Sequence, residues 1–349
     1  MKKVVRQVVG LDVSKDKIYV CYKVLHSDDH ETIKGTKCFD NNSSGFKGLA
    51  KWASARNKTL DVSLLYVMEA TGVYHEELAY FLYESDCQVL VSLGKKVKHF
   101  AKGEGIKTKN DKVDAKILAS YGLSKRFKEK DFWCPLSPNF KVIRDICREH
   151  SSITNARSAA KNQLHALDNA HEIYAEVIAM KKAQIAFFTQ QIEITEKMLY
   201  QLVEEDTDLA ERIAHIQTTK GLGFMTIIKV VAETNGFLLF KNIRQLVSYA
   251  GLDVVENESG KHKGTTKISK QGNARIRAAL YNAAMSATQY NTDLKVFYER
   301  INEGRIIKKQ GIVAVMRKLL ILIYTLWNKK EDYIENYAKK TSKTEVAGV

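Results

Sequence analysis

Apolar and polar residues over the first 125 positions follow patterns that predict strands first and then alternating helices and strands. Three β-rich runs open the chain, and the alternation within them predicts three antiparallel strands. These runs are VVRQVVGLDVS, KIYVCYKVL and ETIKGTKCFD. Helical segments then alternate with the short apolar runs VSLLYVME and CQVLVSL. The order βββαβαβα predicts a mixed sheet with helices on its faces, and Gly122 is expected to close the last helix.

A short segment with the only two prolines of the chain marks the predicted domain boundary. Pro135 and Pro138 lie in WCPLSPNF, and proline interrupts regular structure. We assign the first domain to residues 1–130. Residues 139–204 are almost continuously helix-forming, which predicts a pair of long, coiled-coil-like helices for oligomerisation. Residues 205–337 form a third, mostly α-helical predicted domain.

The charge balance of the 349-residue chain is strongly basic. It holds 55 lysine and arginine residues against 40 aspartate and glutamate residues, which gives a net charge of +15. Such an excess favours a polyanionic partner, with nucleic acid as the leading expectation. The five cysteines are scattered without CxxC spacing, which argues against a zinc site. Because the sequence has no signal-peptide pattern and no long uncharged apolar run, we expect a cytoplasmic protein with no membrane partner.

Four acidic residues follow strands or begin a helix in the first domain. Asp12 ends the first predicted strand and Glu69 ends the fourth, while Asp111 and Asp114 lie three positions apart at a helix start. Residues three apart on a helix are neighbours, so the last two share one face. If the first and fourth strands are adjacent, all four carboxylates converge. Taken singly, each acid has an ordinary explanation as a helix-start or turn-capping residue.

The joint arrangement of these acids favours a metal site over four separate structural roles. Carboxylates that directly follow apolar strands are costly to bury unless a cation compensates them. Oxygen ligands without cysteine or histidine nearby are typical of Mg²⁺ or Mn²⁺. Two such ions about 4 Å apart can activate a nucleophile and stabilise the leaving oxygen in phosphoryl transfer. The lysines around the two helical acids are expected to face nucleic-acid phosphate.

Three segments of the first domain resemble a known transposase family. They are GLDVSKDK, MEATGVYHEELAYFL and IKTKNDKVDAKILA, in the order and spacing of that family. They resemble the DEDD transposases of the bacterial insertion-sequence family whose members are guided by a bridge RNA. The resemblance implies an α/β RNase H-like (RuvC-like) N-terminal domain and assigns Asp12, Glu69, Asp111 and Asp114 to a metal-binding tetrad. It also implies donor DNA, target DNA and a structured guide RNA as partners.

The second half of the chain carries further segments that are similar to this family. The Gly-x-Gly in TTKGLGFMTIIKVVAE is typical of a helix-hairpin-helix, whose turn amides contact DNA phosphate, and fits a simple helix–helix turn equally well. The segment YAGLDVVENESGKHKGTTKISKQGNARIRAALYNAA is similar to the C-terminal transposase domain of the family. By that resemblance Ser259 is the nucleophile that attacks DNA. Ser269 is the competing candidate, ranked second because it precedes the next helix and is suited to cap it.

Basic residues in both halves of the chain are expected to hold the nucleic-acid backbone. They are Lys109, Lys112, Lys261, Lys263, Lys267, Lys270, Arg275 and Arg277. Without the resemblance, a serine in a loop rich in glycine and lysine is ordinary solvated turn chemistry.

The sequence therefore predicts a DNA transposase/recombinase with the tetrad, Mg²⁺ or Mn²⁺, a nucleophilic Ser259 and a covalent protein–DNA intermediate. A homo-oligomer, either dimer or tetramer, is expected because the serine and the acids lie far apart in the chain. The active protein should associate with the bacterial nucleoid. Two other functions stay open: a hydrolytic metal-dependent nuclease or Holliday-junction resolvase that needs no serine, and a non-catalytic nucleic-acid-binding scaffold.

Overall fold

The computed structural model describes residues 3–70, 72–108, 110–171, 174–238, 240–256, 258–260, 262–264 and 267–336. The chain forms two compact units, unit 1 (Met1–Pro135) and unit 2 (Leu136–Val349). The boundary between the units lies within the segment WCPLSPNF. The division of the second half into two domains, with residues 139–204 as an oligomerisation region, stays a prediction.

Unit 1 is built on a five-stranded mixed sheet with the order β3-β2-β1-β4-β5. Its strands are β1 (Val4–Val13), β2 (Lys17–His26), β3 (Glu31–Asp40), β4 (Leu64–Glu69) and β5 (Gln88–Ser92). The first three strands are antiparallel neighbours, whereas β4 runs parallel to β1 and β5 runs parallel to β4. The predicted order of strands and the adjacency of the first and fourth strands are confirmed.

Helices cover both faces of this sheet. They are α1 (Ser43–Ser54), α2 (Glu76–Glu84), α3 (Gly94–Gly103) and α4 (Asp111–Ser124). One face buries Val9, Leu11 and Met68 in a core shared with α1 and α2. The other face buries Val8 and Val67 in a core shared with α3 and α4. Because successive strand residues point to opposite faces, the stretch VVGL at residues 8–11 of β1 contributes to both cores.

Two details of unit 1 differ from the sequence prediction. The sequence pattern predicts no helix where α3 lies, and Gly122 does not close α4, which continues to Ser124. A Cβ on Gly122 would lie 2.7 Å from Val8 Cγ1 and 2.8 Å from Val67 Cγ2. This glycine therefore allows α4 to pack closely on the sheet, and the prediction that it ends the helix is wrong.

Unit 2 begins with two long helices, α5 (Pro138–Asp168) and α6 (Ala175–Glu204), which confirm the predicted pair. The remaining elements are α7 (Thr207–Gln217), α8 (Phe224–Glu233), α9 (Ile243–Tyr249), β6 (Val254–Val255), β7 (Glu258–Ser259), β8 (His262–Lys263), β9 (Lys267–Ile268), α10 (Ala274–Tyr290), α11 (Thr292–Asn302) and α12 (Lys309–Lys329). β6 pairs with β9 and β7 pairs with β8, so the short strands form two small ribbons.

Helix α12 is long and apolar enough to cross a membrane by length and composition alone. In this structure, however, Val315, Leu319, Leu320 and Ile323 of α12 are fully buried in the core of unit 2. The core helix of a globular protein passes the same test, so this one helix is weak evidence for a membrane span.

Candidate functional site

Asp12 and Glu69 lie side by side near the carboxyl ends of two neighbouring parallel strands. β1 and β4 are paired in register with Leu11 opposite Met68, and the next residue of each strand is the acid. Both acids are partly buried. The pairing of these strands therefore brings two of the four predicted carboxylates to one edge of the sheet.

Both of these acids belong to the face of the sheet that α4 covers. Side chains alternate along a strand, so Asp12 shares its face with Val8 and Gly10, and Glu69 shares its face with Val67. Val8 and Val67 are buried in the core beneath α4. The two carboxylates are thus on the same side of the sheet as well as at the same edge.

Helix α4 runs antiparallel to β1 and brings its first turn toward Asp12. Gly122, near the end of the helix, packs on Val8. Nearer the helix start, Ala119 packs on Gly10, where a Cβ would lie only 3.0 Å from Ala119 Cα. β1 and α4 therefore run in opposite directions, and the end of β1 that carries Asp12 corresponds to the end of α4 that carries its first turn.

The first turn of α4 carries the other two predicted ligands, Asp111 and Asp114. Asn110 caps the helix, because its Oδ1 accepts a hydrogen bond from the Val113 amide at 2.9 Å. Asp111 is exposed and Asp114 is partly buried. Acidic residues are favoured in the first turn by the helix dipole, so this position also has a structural explanation.

The four predicted ligands offer carboxylate oxygens, which are the donors that hard divalent cations prefer. They fit such an ion in donor type and in their placement toward one edge of the sheet. Within the part of the chain that the structure describes, however, no three aspartate, glutamate, histidine or cysteine side chains are grouped closely enough to hold a metal ion. The gathering of all four acids around a cation therefore stays a prediction.

A lysine-rich helix that the sequence reasoning missed, α3, begins beside Glu69. Its exposed lysines are Lys95, Lys96, Lys98 and Lys102. The signal for this helix is in the sequence, since Val97, Phe100 and Ala101 recur at helical spacing and pack into the core shared with α4. The helix adds positive charge near the candidate acids.

Ser259 lies in a short two-stranded ribbon of unit 2. It pairs with His262 between β7 and β8, and Gly260 in the turn has a φ of +56°, which glycine adopts at little cost. Ser259 itself is exposed. Its position is therefore open to a large substrate such as a DNA strand.

Ser269, the competing serine, has a different environment and does not cap α10. Its Oγ donates a hydrogen bond to Asp253 Oδ1 and accepts one from the Gln271 amide at 3.2 Å. The cap is Asn273, whose Oδ1 accepts hydrogen bonds from two amides of the first helical turn. The prediction that Ser269 caps the next helix is wrong, because the chain makes a further turn before α10 begins.

The basic residues predicted to hold phosphate have different surroundings. Lys112, Lys267, Lys270 and Arg275 are exposed, whereas Lys109, Lys261 and the side chain of Lys263 lie outside the described residues. Arg277 is partly buried and donates from Nη1 to the Ala250 carbonyl at 2.8 Å. Part of its guanidinium group therefore stabilises the end of α9.

An ion pair between a partly exposed arginine and a buried glutamate holds the start of α10. Arg148 donates from Nε and Nη2 to the two carboxylate oxygens of Glu233 at 2.8 and 3.0 Å, and Asn273 Nδ2 donates to Glu233 at 2.7 Å. Burial raises the pKa of Glu233, but the hydrogen bonds from Arg148 and Asn273 outweigh burial, so that this pKa lies below its ordinary value. Because Asn273 also caps α10, the network anchors the end of the loop that carries Ser259.

The turn between α7 and α8 contains two glycines with different roles. Gly221 has a φ of +96°, and a Cβ there would lie 2.6 Å from Ala287 Cα, so close packing on α10 explains this residue. Gly223 is exposed at the start of α8, and a Cβ there would meet nothing within 4 Å. Lys220, the residue before Gly221, forms an ion pair with Glu335, with 3.2 Å between Nζ and Oε2. An exposed helix start suits a phosphate, and the helix-hairpin-helix interpretation stays a prediction.

Two family models match the chain. A model described as Transposase, of the DEDD type from IS110 elements, matches residues 9–171. A second, described as Transposase IS116/IS110/IS902 family, matches residues 213–299. The chain belongs to the IS110 family of transposases. It is therefore a DNA-cutting and rejoining enzyme, and the family implies a RuvC-like fold and suggests dependence on a divalent metal.

The transposase is also similar to curated proteins over most of its length. It is 27% identical over 329 residues to the pilin gene-inverting protein of Moraxella bovis, an alignment that covers 93% of this chain and 97% of that protein. The protein of the same name from Moraxella lacunata gives the same identity and coverage. The transposase for insertion sequence element IS1111A of Coxiella burnetii is 27% identical over 126 residues, 35% of each chain.

Proposed function

We propose that this transposase cuts and rejoins DNA at a metal-dependent site formed by Asp12, Glu69, Asp111 and Asp114. The observation that carries the proposal is the parallel pairing of β1 with β4, which sets the first two acids next to each other. Helix α4 contributes the other two from its first turn. Mg²⁺ or Mn²⁺ held by these carboxylates would supply positive charge to the oxygens of a phosphodiester.

Ser259 is the proposed nucleophile. Its Oγ forms a bond to the phosphorus atom while the bond to one strand end breaks, and that end leaves as a hydroxyl with the proton of the serine. The resulting protein–DNA phosphodiester keeps the bond energy, so the hydroxyl of another strand end can reverse the step and restore the serine. The exposure of Ser259 beside Gly260 supports this role.

Ser269 is the second candidate for the nucleophile. The observation that favours it is its hydrogen bond to Asp253, a carboxylate that is placed to accept the serine proton. The same contact holds Ser269 in a partly buried position, which restricts access by DNA. We therefore keep Ser259 first.

The proposed partners are donor DNA, target DNA and a structured guide RNA. The net charge of +15 and the exposed lysines of α3 support a polyanionic partner. RNA guidance rests on the resemblance of the three N-terminal segments, and the names of the Moraxella relatives support a rejoining reaction such as gene inversion. A cytoplasmic, nucleoid-associated location follows from the DNA substrate.

We propose a homo-oligomer joined through α5 and α6, in which exposed apolar side chains of these helices pack against a second copy of this chain. Near the start of α6 the exposed fractions are 75% for Tyr174, 72% for Met180 and 56% for Phe187. Several large apolar side chains along one segment of long helices, whose apolar residues recur at three-to-four spacing, favour association with a like helix pair. Light scattering measures the mass in solution, and a fully active monomer would contradict the proposal.

Covalent trapping on DNA tests the nucleophile. The protein, with its co-purified RNA and Mg²⁺, is incubated with labelled DNA that carries the sequences flanking its gene, and is then denatured and digested. We expect DNA on the peptide that contains Ser259, and no adduct from Ser259→Ala although this variant still binds DNA. Ser269→Ala is the matched control and should still form the adduct. An adduct on Ser269 would transfer the role to that residue.

Asp12→Asn and Glu69→Gln test the metal site in the same assay, because each removes a charge with little change in size. Both variants should remain folded and lose strand cutting. If the tetrad cuts DNA and no serine adduct forms, serine catalysis is wrong and the hydrolytic nuclease or resolvase is favoured. If wild-type protein binds nucleic acid without any metal-dependent cutting, the non-catalytic scaffold is favoured.

A further inference from the structure

The carboxylate of Glu69 occupies the space that a side chain at position 94 would fill. Gly94 is the first residue of α3 and follows closely on β5, in which Ser92 pairs with Glu69. A Cβ built on Gly94 would overlap Glu69 Oε1 and would lie 2.7 Å from Cδ and 3.4 Å from Cγ of the same side chain. Any residue other than glycine at this position therefore displaces the carboxylate.

The backbone at Gly94 gives no reason for glycine. This residue is helical and its φ lies outside the left-handed region, so alanine would be the preferred residue there. The residue before it, Leu93, makes no side-chain cap for α3. A negative charge near a helix start is favourable, which suits the Glu69 carboxylate to this position.

We propose that Gly94 is a positioning residue for Glu69. The inference rests on the proposed function, in which Glu69 is a metal-binding carboxylate. The empty Cβ position lets the carboxylate lie against the start of α3, at the edge of the sheet that also carries Asp12. The atoms in conflict with a Cβ belong to the far end of a flexible side chain, so a substitution moves the carboxylate and leaves the fold intact.

Gly94→Ala tests the proposal, with Gly103→Ala as the matched control. Gly103 is the last residue of the same helix, and a Cβ there meets nothing within 4 Å. Calorimetry with Mn²⁺ and protein free of nucleic acid should show binding weakened about 10- to 100-fold by Gly94→Ala, the usual effect of losing a residue that orients a ligand. Gly103→Ala should bind Mn²⁺ like the wild type, and both variants should melt close to the wild-type temperature.

A double-mutant cycle tests the contact itself without any metal. Glu69→Ala removes the carboxylate and frees the space, so adding Gly94→Ala should raise the melting temperature more in the Glu69→Ala protein than in the wild type. Gly103→Ala should give the same change in both backgrounds. Equal effects of Gly94→Ala in the two backgrounds would show that residues 69 and 94 do not conflict, and would overturn the inference.

The outcomes separate this inference from the proposed function. If Glu69→Gln weakens Mn²⁺ binding and Gly94→Ala does not, the positioning role is wrong while the metal site stands. If neither variant changes Mn²⁺ binding, Glu69 is not a metal ligand and Gly94 positions none. If both variants weaken Mn²⁺ binding and Gly103→Ala does not, the inference is supported.

Discussion

Replacing Arg148 by alanine should strongly destabilise unit 2, because the change leaves a buried carboxylate without its cation. The Glu233 side chain is 4% exposed and the Arg148 side chain is 35% exposed. Removing one partner of a buried ion pair costs about 3–5 kcal/mol. We expect the lower end, about 3 kcal/mol, because Arg148 is partly exposed and Asn273 still donates a hydrogen bond to Glu233.

Arg275→Ala is the matched control for this prediction. Arg275 Nε lies 3.9 Å from Glu233 Oε1, the oxygen that accepts the hydrogen bond from Arg148 Nε, and the Arg275 side chain is 62% exposed. An exposed ion pair of this kind contributes about 0–1 kcal/mol. The two variants remove the same chemical group from the same carboxylate and differ in burial and hydrogen bonding.

Urea unfolding measures both variants. The urea concentration at the unfolding midpoint should fall clearly for Arg148→Ala and little for Arg275→Ala. The slope of the unfolding free energy against urea concentration should be similar in both variants. Hydrogen exchange of the amides in α8 and α10 assigns the loss to unit 2.

The pH dependence of stability gives an independent check. The folded-state pKa of Glu233 is lowered, so the stability from its ionised form is fully present above the ordinary pKa of a glutamate and is lost as the pH falls through the lowered folded-state pKa. In Arg148→Ala the effect of burial is no longer outweighed, so we expect the Glu233 pKa to rise and the destabilisation to shrink as the pH is lowered from neutrality. Equal losses for the two arginine variants, or a loss that grows toward acidic pH, would refute the reasoning.

Two further predictions concern the packing of unit 1 and the nucleic-acid interface. Gly10→Ala should destabilise unit 1 by about 1–3 kcal/mol, because the added Cβ would overlap the α4 backbone. Gly48→Ala is the control, because a Cβ there makes only ordinary contacts with Phe39. Thermal unfolding measures both variants, and equal unfolding midpoints would contradict the packing argument. DNA binding should weaken with salt with a log–log slope of about −0.9 per phosphate contacted, measured by fluorescence anisotropy, and a flat dependence would argue against backbone contacts.

The sequence predicts those residues of the candidate site that lie at the end of a strand or at the start of a helix, because each of these positions has a local sequence pattern. Asp12 and Glu69 directly follow apolar runs, and both lie where β1 and β4 end. Asn110 precedes two acids and an apolar helix, a pattern typical of a helix start, and it caps α4. The glycines that let these parts approach one another were not predictable, because a glycine looks the same in sequence whether a turn or a neighbouring side chain requires it.

Helix ends show the limit of local patterns. Gly122 fits the sequence signature of a helix end, and Ser269 fits that of a helix cap. In the structure Gly122 packs on Val8 and Val67, and Ser269 donates a hydrogen bond to Asp253. Each residue type suits two roles, and the neighbours supplied by the fold select between them.

The sequence by itself determined the order of the strands in unit 1, the helices α1, α2 and α4 and the long helix pair of unit 2, because the periods of two and 3.6 residues are properties of each segment alone. Only the tertiary structure decided which segments touch. The register of β1 against β4 sets Asp12 beside Glu69, and Arg148 meets Glu233 across 85 residues of chain. Such contacts depend on packing free energy shared among distant segments, and no local pattern of residues specifies it.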